Sequence, residues 1–269
     1  MTDNSLRIAI LGGGVMGETL AAGFLARLQP TPTVVVAEKR PDRAAELADR
    51  LGVRIASMNE AVSGADVVVL AVKPQDFRAM LAELAPSLRP GVLVVSIAAG
   101  IPTAVMEEML PGAAVVRVMP NTPARINRGV AGISAGSDCT PADLDLAARL
   151  MESVGVVVRV PEDLQDAVTA VSGSGPAYVF YLAEAMIAAG VEMGLSPADA
   201  RLMAVNTILG AGELMAASDE DPAVLRANVT SPNGTTAAAI ASMEAAALRQ
   251  SVIAAMAAAR DRSIELSGS

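Results

Sequence analysis

Leu6-Arg7-Ile8-Ala9-Ile10-Leu11-Gly12-Gly13-Gly14-Val15-Met16-Gly17 reads as strand, turn and helix start in succession, and this reading decides the fold. Leu6–Leu11 has the near-continuous apolar character of a buried strand, and Val15–Leu28 repeats its apolar positions at helical spacing. Between them Gly12, Gly14 and Gly17 fit G-x-G-x-x-G. Three glycines beside a turn arise easily, and an ordinary tight strand–helix turn is the plain alternative. Placed after a first strand and at the start of a helix, each glycine acquires a task. The first makes the turn, Gly14 lets backbone approach a pyrophosphate, and Gly17 lets helix and strand pack closely. The amides at the helix start face the phosphate charge.

Outward from this turn, strand and helix patterns alternate through the first 160 residues. Strands are expected at Thr33–Ala37, near Val53–Ala56, and at Asp66–Val72, Val92–Ile97 and Ala114–Met119. Helices are expected at Pro41–Leu51, from about Gln75 to Leu84, and around Thr103–Leu110. Val/Ile/Leu runs separated by helices imply a doubly wound parallel sheet of Rossmann type, covered on both faces. A return pair, Gly129–Ala135 and Gly155–Val160, flanks a helix at Pro141–Ser153. Beyond Pro161 only helices are expected: Asp163–Val171, Pro176–Met193, Pro197–Ala217, Pro222–Asn228, Thr235–Met243 and Ala246–Leu266. The fold class is therefore α/β followed by an all-α domain, with residues 1–162 as the dinucleotide-binding domain and residues 163–269 as the helical one. Small residues such as Ala183, Ala185, Ala188, Ala189 and Gly190 crowd one helix. They either favour helix or allow close helix–helix approach, and a helical half with few large apolar side chains points to dimerisation.

Composition narrows the chemistry. The 269 residues are 52% hydrophobic and 18% charged, yet no stretch reaches the roughly 20 apolar residues of a membrane span. No signal peptide is read at the N-terminus, so a soluble cytoplasmic protein is expected. There is no histidine, Cys139 is the one cysteine, and the lysines are Lys39 and Lys73. That argues against histidine triads, thiol–disulfide pairs and ordinary zinc sites, and no metal is expected. A net charge of −9 argues against nucleic acid. Residues 1–160 carry 16 acids and 15 bases, whereas residues 161–269 carry 13 acids and 5 bases, which fits two domains with different tasks.

Further motifs fall at strand ends, the edge where such sheets bind ligands. Glu38 lies 21 residues past Gly17, about where an acid would meet the ribose 2′-hydroxyl of NAD, while Lys39, Arg40 and Arg43 suit the 2′-phosphate of NADP. Both cofactor signals are present, and Arg43 could equally sit on a solvated helix face. Ala71-Val72-Lys73-Pro74 closes one strand, and the small residues of Ser96–Gly100 leave room for a nicotinamide ring. Asn121, between Pro120 and Pro123, either caps a turn or contacts a ligand. In the helical half, Ser172-Gly173-Ser174-Gly175-Pro176 is a plain break or a backbone surface for a ligand. Thr230-Ser231-Pro232-Asn233-Gly234-Thr235-Thr236 opens a helix, with Ser231 or Thr235 as candidate N-caps and free amides suited to a carboxylate.

Taken together, Gly12–Gly17, Ala71–Pro74, Ser96–Gly100, Met119–Pro123, Val171–Tyr178 and Leu225–Glu244 resemble the pyrroline-5-carboxylate reductase family, in order and over nearly the whole chain. Two positions depart from the family pattern: Asn233 stands at a usual glycine, and Glu38 stands where many NADPH-using members have a small polar residue. The resemblance implies reduction of 1-pyrroline-5-carboxylate to L-proline with NADP(H) or NAD(H), without a metal. It implies cofactor contacts at Gly12, Gly14, Val15, Met16, Gly17, Glu38, Lys39, Arg40, Asn59, Ala71, Val72, Lys73, Pro74, Ala98, Gly100 and Asn121. Substrate contacts are implied at Ser174, Ser231, Asn233, Gly234, Thr235 and Thr236, with Thr236 as the catalytic candidate beside the substrate nitrogen. Homodimers, and decamers built from them, are implied, with helices of the dimer partner contributing to each active site. A 3-hydroxyacid dehydrogenase shares the general plan but resembles a pattern with a catalytic lysine in the helical half, which has none. A dinucleotide-binding regulatory dimer without catalysis is the other rival.

Overall fold

The computed structural model of the chain describes residues 5–72 and 76–267. By its contacts the chain forms two compact units, Met1–Ser174 with Ala259–Ser269, and Gly175–Ala258.

The first unit is built on β1 (Arg7–Leu11), β2 (Thr33–Ala37), β3 (Arg54–Ile55), β4 (Val67–Leu70), β5 (Leu93–Ser96), β6 (Ala114–Met119), β7 (Gly129–Ala135) and β8 (Gly155–Arg159). They form one sheet in the order β3-β2-β1-β4-β5-β6-β7-β8. The first six strands pair in parallel, β7 runs antiparallel to β6, and β8 runs parallel to β7. The expected return pair is therefore two strands added to the edge of a parallel sheet. Helices α1 (Val15–Arg27), α2 (Pro41–Leu51) and α6 (Pro141–Glu152) cover one face, where Leu20, Phe24, Leu47, Leu150 and Met151 pack on Ile8, Val36, Val67 and Ile133. The short α3 (Met58–Val62), α4 (Phe77–Leu84) and α5 (Thr103–Met109) cover the other, with Phe77, Leu81 and Met106 against Leu11, Val68 and Val94. Each such fully buried side chain contributes roughly 1.5–3 kcal/mol through burial.

The sequence pattern predicts no element at Met58–Val62, where α3 forms. Its start is a capping box, in which the Ser57 side chain accepts from the Glu60 amide and Glu60 accepts from the Ser57 amide. The expected single helix at Asp163–Val171 is also different. A 3-10 turn at Glu162–Leu164 leads into α7 (Gln165–Val168), and residues Thr169–Gly173 form a π-helical turn. The Ser174 amide donates to the Thr169 carbonyl at 2.8 Å, a five-residue spacing that carries the chain past Ser172 and Gly173 without a loop. The extra residue lets Gly173 come against the end of β6, where an added Cβ would lie 2.5 Å from the Met119 methyl.

The second unit holds α8 (Gly175–Glu192), α9 (Pro197–Ala216), α10 (Pro222–Asn228), α11 (Thr235–Ala245) and most of α12 (Leu248–Ser267). Its α8–α9 hairpin closes on small residues. Gly190, Ala200 and Ala204 are its buried positions, and a Cβ on Gly190 would stand 3.0 Å from that of Ala200. The large apolar side chains point outward: Phe180 is 62% exposed, Tyr181 75% and Met193 78%. Among the described residues no helix is long and apolar enough to cross a membrane.

Candidate functional site

In the first unit the carboxyl end of β1 turns directly into α1. Gly12 has φ +106°, and a Cβ there would lie 2.5 Å from the Ala71 carbonyl oxygen, so only glycine serves. A Cβ on Gly17 would run into the Gly12 carbonyl oxygen. Gly14 differs: its backbone is extended (φ −64°, ψ −177°), and a Cβ would meet nothing within 4 Å. The fold has no need of a glycine at that position, and the open space before it is what an approaching pyrophosphate requires. Gly14 is the N-cap of α1 with no side-chain cap bond, which leaves the first-turn amides, including those of Val15 and Met16, facing outward for an anion. The turn fits a dinucleotide.

Beside it, Glu38 is half-buried and both its oxygens are engaged. Oε2 accepts from the Gly13 amide at 3.0 Å, and Oε1 from the Arg40 amide at 2.9 Å and Arg40 Nε at 3.3 Å. Burial on its own would raise the carboxyl pKa. The hydrogen bonds from Arg40 and Gly13 outweigh burial and hold it below the usual carboxylate range. Arg43 is not on a solvated face: its Nε donates to the Gly13 carbonyl at 2.8 Å, and its remaining nitrogens pair with Glu46 and Glu18. Lys39 and Arg40 are exposed.

The other strand ends vary in how they present their side chains. Ala98 is buried with its amide on Ser96 Oγ at 3.3 Å, and Gly100 has φ +74°. Asn59, in α3, accepts from the Ser87 hydroxyl at 3.0 Å. Ala71 and Val72 follow β4, while Lys73 and Pro74 lie outside the described residues. Asn121 is 8% exposed, and its amide group is spent within the protein: Nδ2 donates to the Ser172 carbonyl and hydroxyl, each at 3.2 Å, and Oδ1 accepts from the Val130 amide at 2.9 Å. Ser174 follows the π-helical turn and is half-buried.

A polar cluster beside the end of β5 has no counterpart in the sequence-based expectations. Arg117, in mid-β6 and 6% exposed, lies in register between Ser96 and Ser134 and pairs with Glu162 at 3.2 Å. Glu162 also accepts from the Thr103 amide at 2.7 Å, supplying the cap that Pro102 cannot give α5. A single arginine inside the apolar run Ala114–Met119 was the available signal, since a buried cation demands a partner.

In the second unit, Ser231–Thr236 forms a tight turn into α11. The Gly234 amide donates to the Ser231 carbonyl at 3.0 Å, and a Cβ on Gly234 would lie 2.6 Å from Ser231 Oγ. Asn233 takes φ +59°, the left-handed conformation that asparagine tolerates best after glycine, which explains how it stands at a glycine position. Neither Ser231 nor Thr235 is the N-cap. Gly234 is, with no side-chain cap bond, so the amides of Thr235 and Thr236 are left for an anion and the Thr236 hydroxyl is not used as a cap. Arg226 of α10 and Arg249 of α12 flank Glu244 near the far end of α11, at 3.7 and 2.7 Å. The bond from Arg249 leads in holding the Glu244 carboxyl below its usual range.

The family model of pyrroline-5-carboxylate reductase dimerisation matches residues 162–266, and that of the coenzyme F420-dependent NADP oxidoreductases matches residues 7–100. The pyrroline-5-carboxylate reductase of Pseudomonas aeruginosa is 44% identical over 263 residues, covering 97% of this chain and 96% of that one. Among solved structures, the pyrroline-5-carboxylate reductase of Coxiella burnetii superposes with a TM-score of 0.93 at 35% identity, covering 98% of this chain and 99% of that one. The Plasmodium falciparum pyrroline carboxylate reductase with NADP bound gives 0.85 at 28% identity, over 97% and 98% of the two chains. With that identity sustained over nearly the full length of both chains, this protein belongs to the pyrroline-5-carboxylate reductase family.

Proposed function

We propose that the chain reduces 1-pyrroline-5-carboxylate to L-proline with NADPH or NADH. The observation that carries the reading is the likeness to pyrroline-5-carboxylate reductases over nearly the whole chain. Its dinucleotide part is supported by Gly14, a glycine that the fold does not need, set at the start of α1 where a pyrophosphate needs it. Gly12, Gly14, Val15 and Met16 hold the pyrophosphate, Gly17 lets α1 pack closely behind them, and Lys39 and Arg40 lie near the adenosine ribose. When bound, the reduced nicotinamide supplies the hydride that the imine carbon accepts. Reducing a cyclic imine calls for no nucleophile and no metal, so the chain's own residues bind, orient and exclude water.

At the start of α11 the Thr235 and Thr236 amides hold the substrate carboxylate, with Ser231, Asn233 and Gly234 shaping the turn. The ring nitrogen is bonded to the carbon that bears this carboxylate, so the Thr236 hydroxyl in the same helical turn reaches it and exchanges a hydrogen bond. Thr236 thereby orients and polarises the C=N bond. The outward apolar side chains of α8 and α9 support a homodimer formed through the helical unit, from which decamers assemble. Residues 1–162 serve the dinucleotide and 163–269 serve dimerisation and substrate. A cytoplasmic location is part of the reading.

The test follows nicotinamide oxidation with pyrroline-5-carboxylate, with a 3-oxoacid, and with no substrate. Turnover with pyrroline-5-carboxylate alone is expected. Turnover with the 3-oxoacid favours a hydroxyacid dehydrogenase, and binding without any turnover favours a regulatory dimer.

A further inference from the structure

Two oppositely charged side chains beside the phosphate turn direct their polar atoms into it. Glu38 Oε2 accepts from the Gly13 amide at 3.0 Å, and Arg43 Nε donates to the Gly13 carbonyl at 2.8 Å. Both side chains are well covered, 9% and 12% exposed. Gly13 has no room for a side chain of its own, because a Cβ would press on the Leu47 methyl and lie 3.0 Å from Glu38 Oε2. The amide belongs to the peptide before Gly13 and the carbonyl to the peptide after it. A trans peptide is planar with its N–H and C=O opposed. Fixing the Gly13 carbonyl on Arg43 therefore turns the Gly14 N–H to the opposite side, and fixing the Gly13 N–H on Glu38 does the same for the Gly12 carbonyl.

We propose that Glu38 and Arg43 are positioning residues that clamp the two peptides flanking Gly13, and so set the direction of the phosphate-binding amides for NADH and NADPH alike. This rests on the dinucleotide reading of the turn. It departs from a role for Glu38 in selecting between the cofactors at the ribose. It also reverses a simple electrostatic expectation. Removing a carboxylate beside an anionic ligand strengthens binding by Coulomb's law, whereas removing one arm of a clamp weakens it.

The test uses the full-length protein with Glu38→Met and Arg43→Lys, and with Arg50→Met as a control. Arg50 pairs with the same Glu18 and Glu46 but does not bond Gly13. Lysine keeps the charge at position 43 but lacks the guanidinium's donor fork. Calorimetry gives the Kd for ADP, NADH and NADPH, and amide hydrogen exchange of the ligand-free protein reads the Gly13 N–H directly. Glu38→Met is expected to weaken all three ligands about tenfold, to keep the NADH-to-NADPH ratio within about twofold, and to speed Gly13 exchange. Arg43→Lys is expected to weaken all three and to add little when combined with Glu38→Met, since both act through one residue. Arg50→Met is expected to match the parent. A several-fold change in the cofactor ratio with ADP affinity kept or improved overturns the clamp, as does unchanged Gly13 exchange. If the unaltered protein binds none of the three ligands, the dinucleotide reading itself fails.

Discussion

Asn121, at the carboxyl end of β6, and Ser172, in the π-helical turn, are joined by two hydrogen bonds of 3.2 Å from one amide nitrogen. The opposite side of the same amide accepts from Val130 at the start of β7, so one buried side chain ties three segments together. Asn121→Ala strands a backbone N–H and a carbonyl together. We expect it to cost about 2–3 kcal/mol, lowering Tm by roughly 5–10 °C. Cofactor affinity in the folded variant should stay near the parent's. Thermal unfolding with calorimetry checks this, and a large affinity loss without destabilisation would make Asn121 a ligand contact.

Gly14 and Gly17 give opposite outcomes for the same change. Gly14→Ala places its methyl in open space, so its melting temperature should match the parent's while dinucleotide affinity falls by at least about tenfold. Gly17→Ala drives a methyl into the Gly12 carbonyl oxygen and should destabilise the protein outright. Thermal unfolding and calorimetry separate the two.

Thr236→Ala should fold and bind dinucleotide normally, because Gly234 already caps α11 without its hydroxyl. Losing a hydrogen bond to a charged group costs roughly 1.5–3 kcal/mol, so kcat/KM should fall about 10- to 150-fold. A variant that melts early but turns over within about twofold of the parent would return Thr236 to a structural role.

The apolar side chains that the helical unit turns outward should be buried in the dimer. Phe180→Asp and Leu209→Asp, at positions 62% and 56% exposed in the single chain, are expected to yield monomers by solution mass. Unchanged mass in both would place the interface elsewhere.

How legible all this was in the sequence differs from residue to residue. The β1–turn–α1 unit could be read because its evidence is local: an apolar run, three glycines at fixed spacing, and a helical repeat. The strands Thr33–Ala37, Ala114–Met119 and Gly129–Ala135 were legible for the same reason. The π-helical turn was not, because two glycines and a proline read as a break, and what holds the turn is its packing on Met119 and its tie to Asn121, both distant in sequence. Helix α3 was legible in principle, through Ser57 and Glu60, but five residues carry too little periodicity to be noticed. Glu38 is the instructive case at the site. Its position at the end of β2 follows from spacing, but its direction is chosen by the Gly13 and Arg40 amides, which no one-dimensional pattern encodes.

The most direct measurement supplies unlabelled pyrroline-5-carboxylate together with reduced nicotinamide cofactor deuterated at C4 on the transferred face, and follows the product by mass spectrometry and NMR. Proline carrying one deuterium, on the ring carbon next to nitrogen and away from the carboxylate, is the expected product. Proline without the label, or cofactor oxidation without proline, would contradict hydride transfer to the imine carbon.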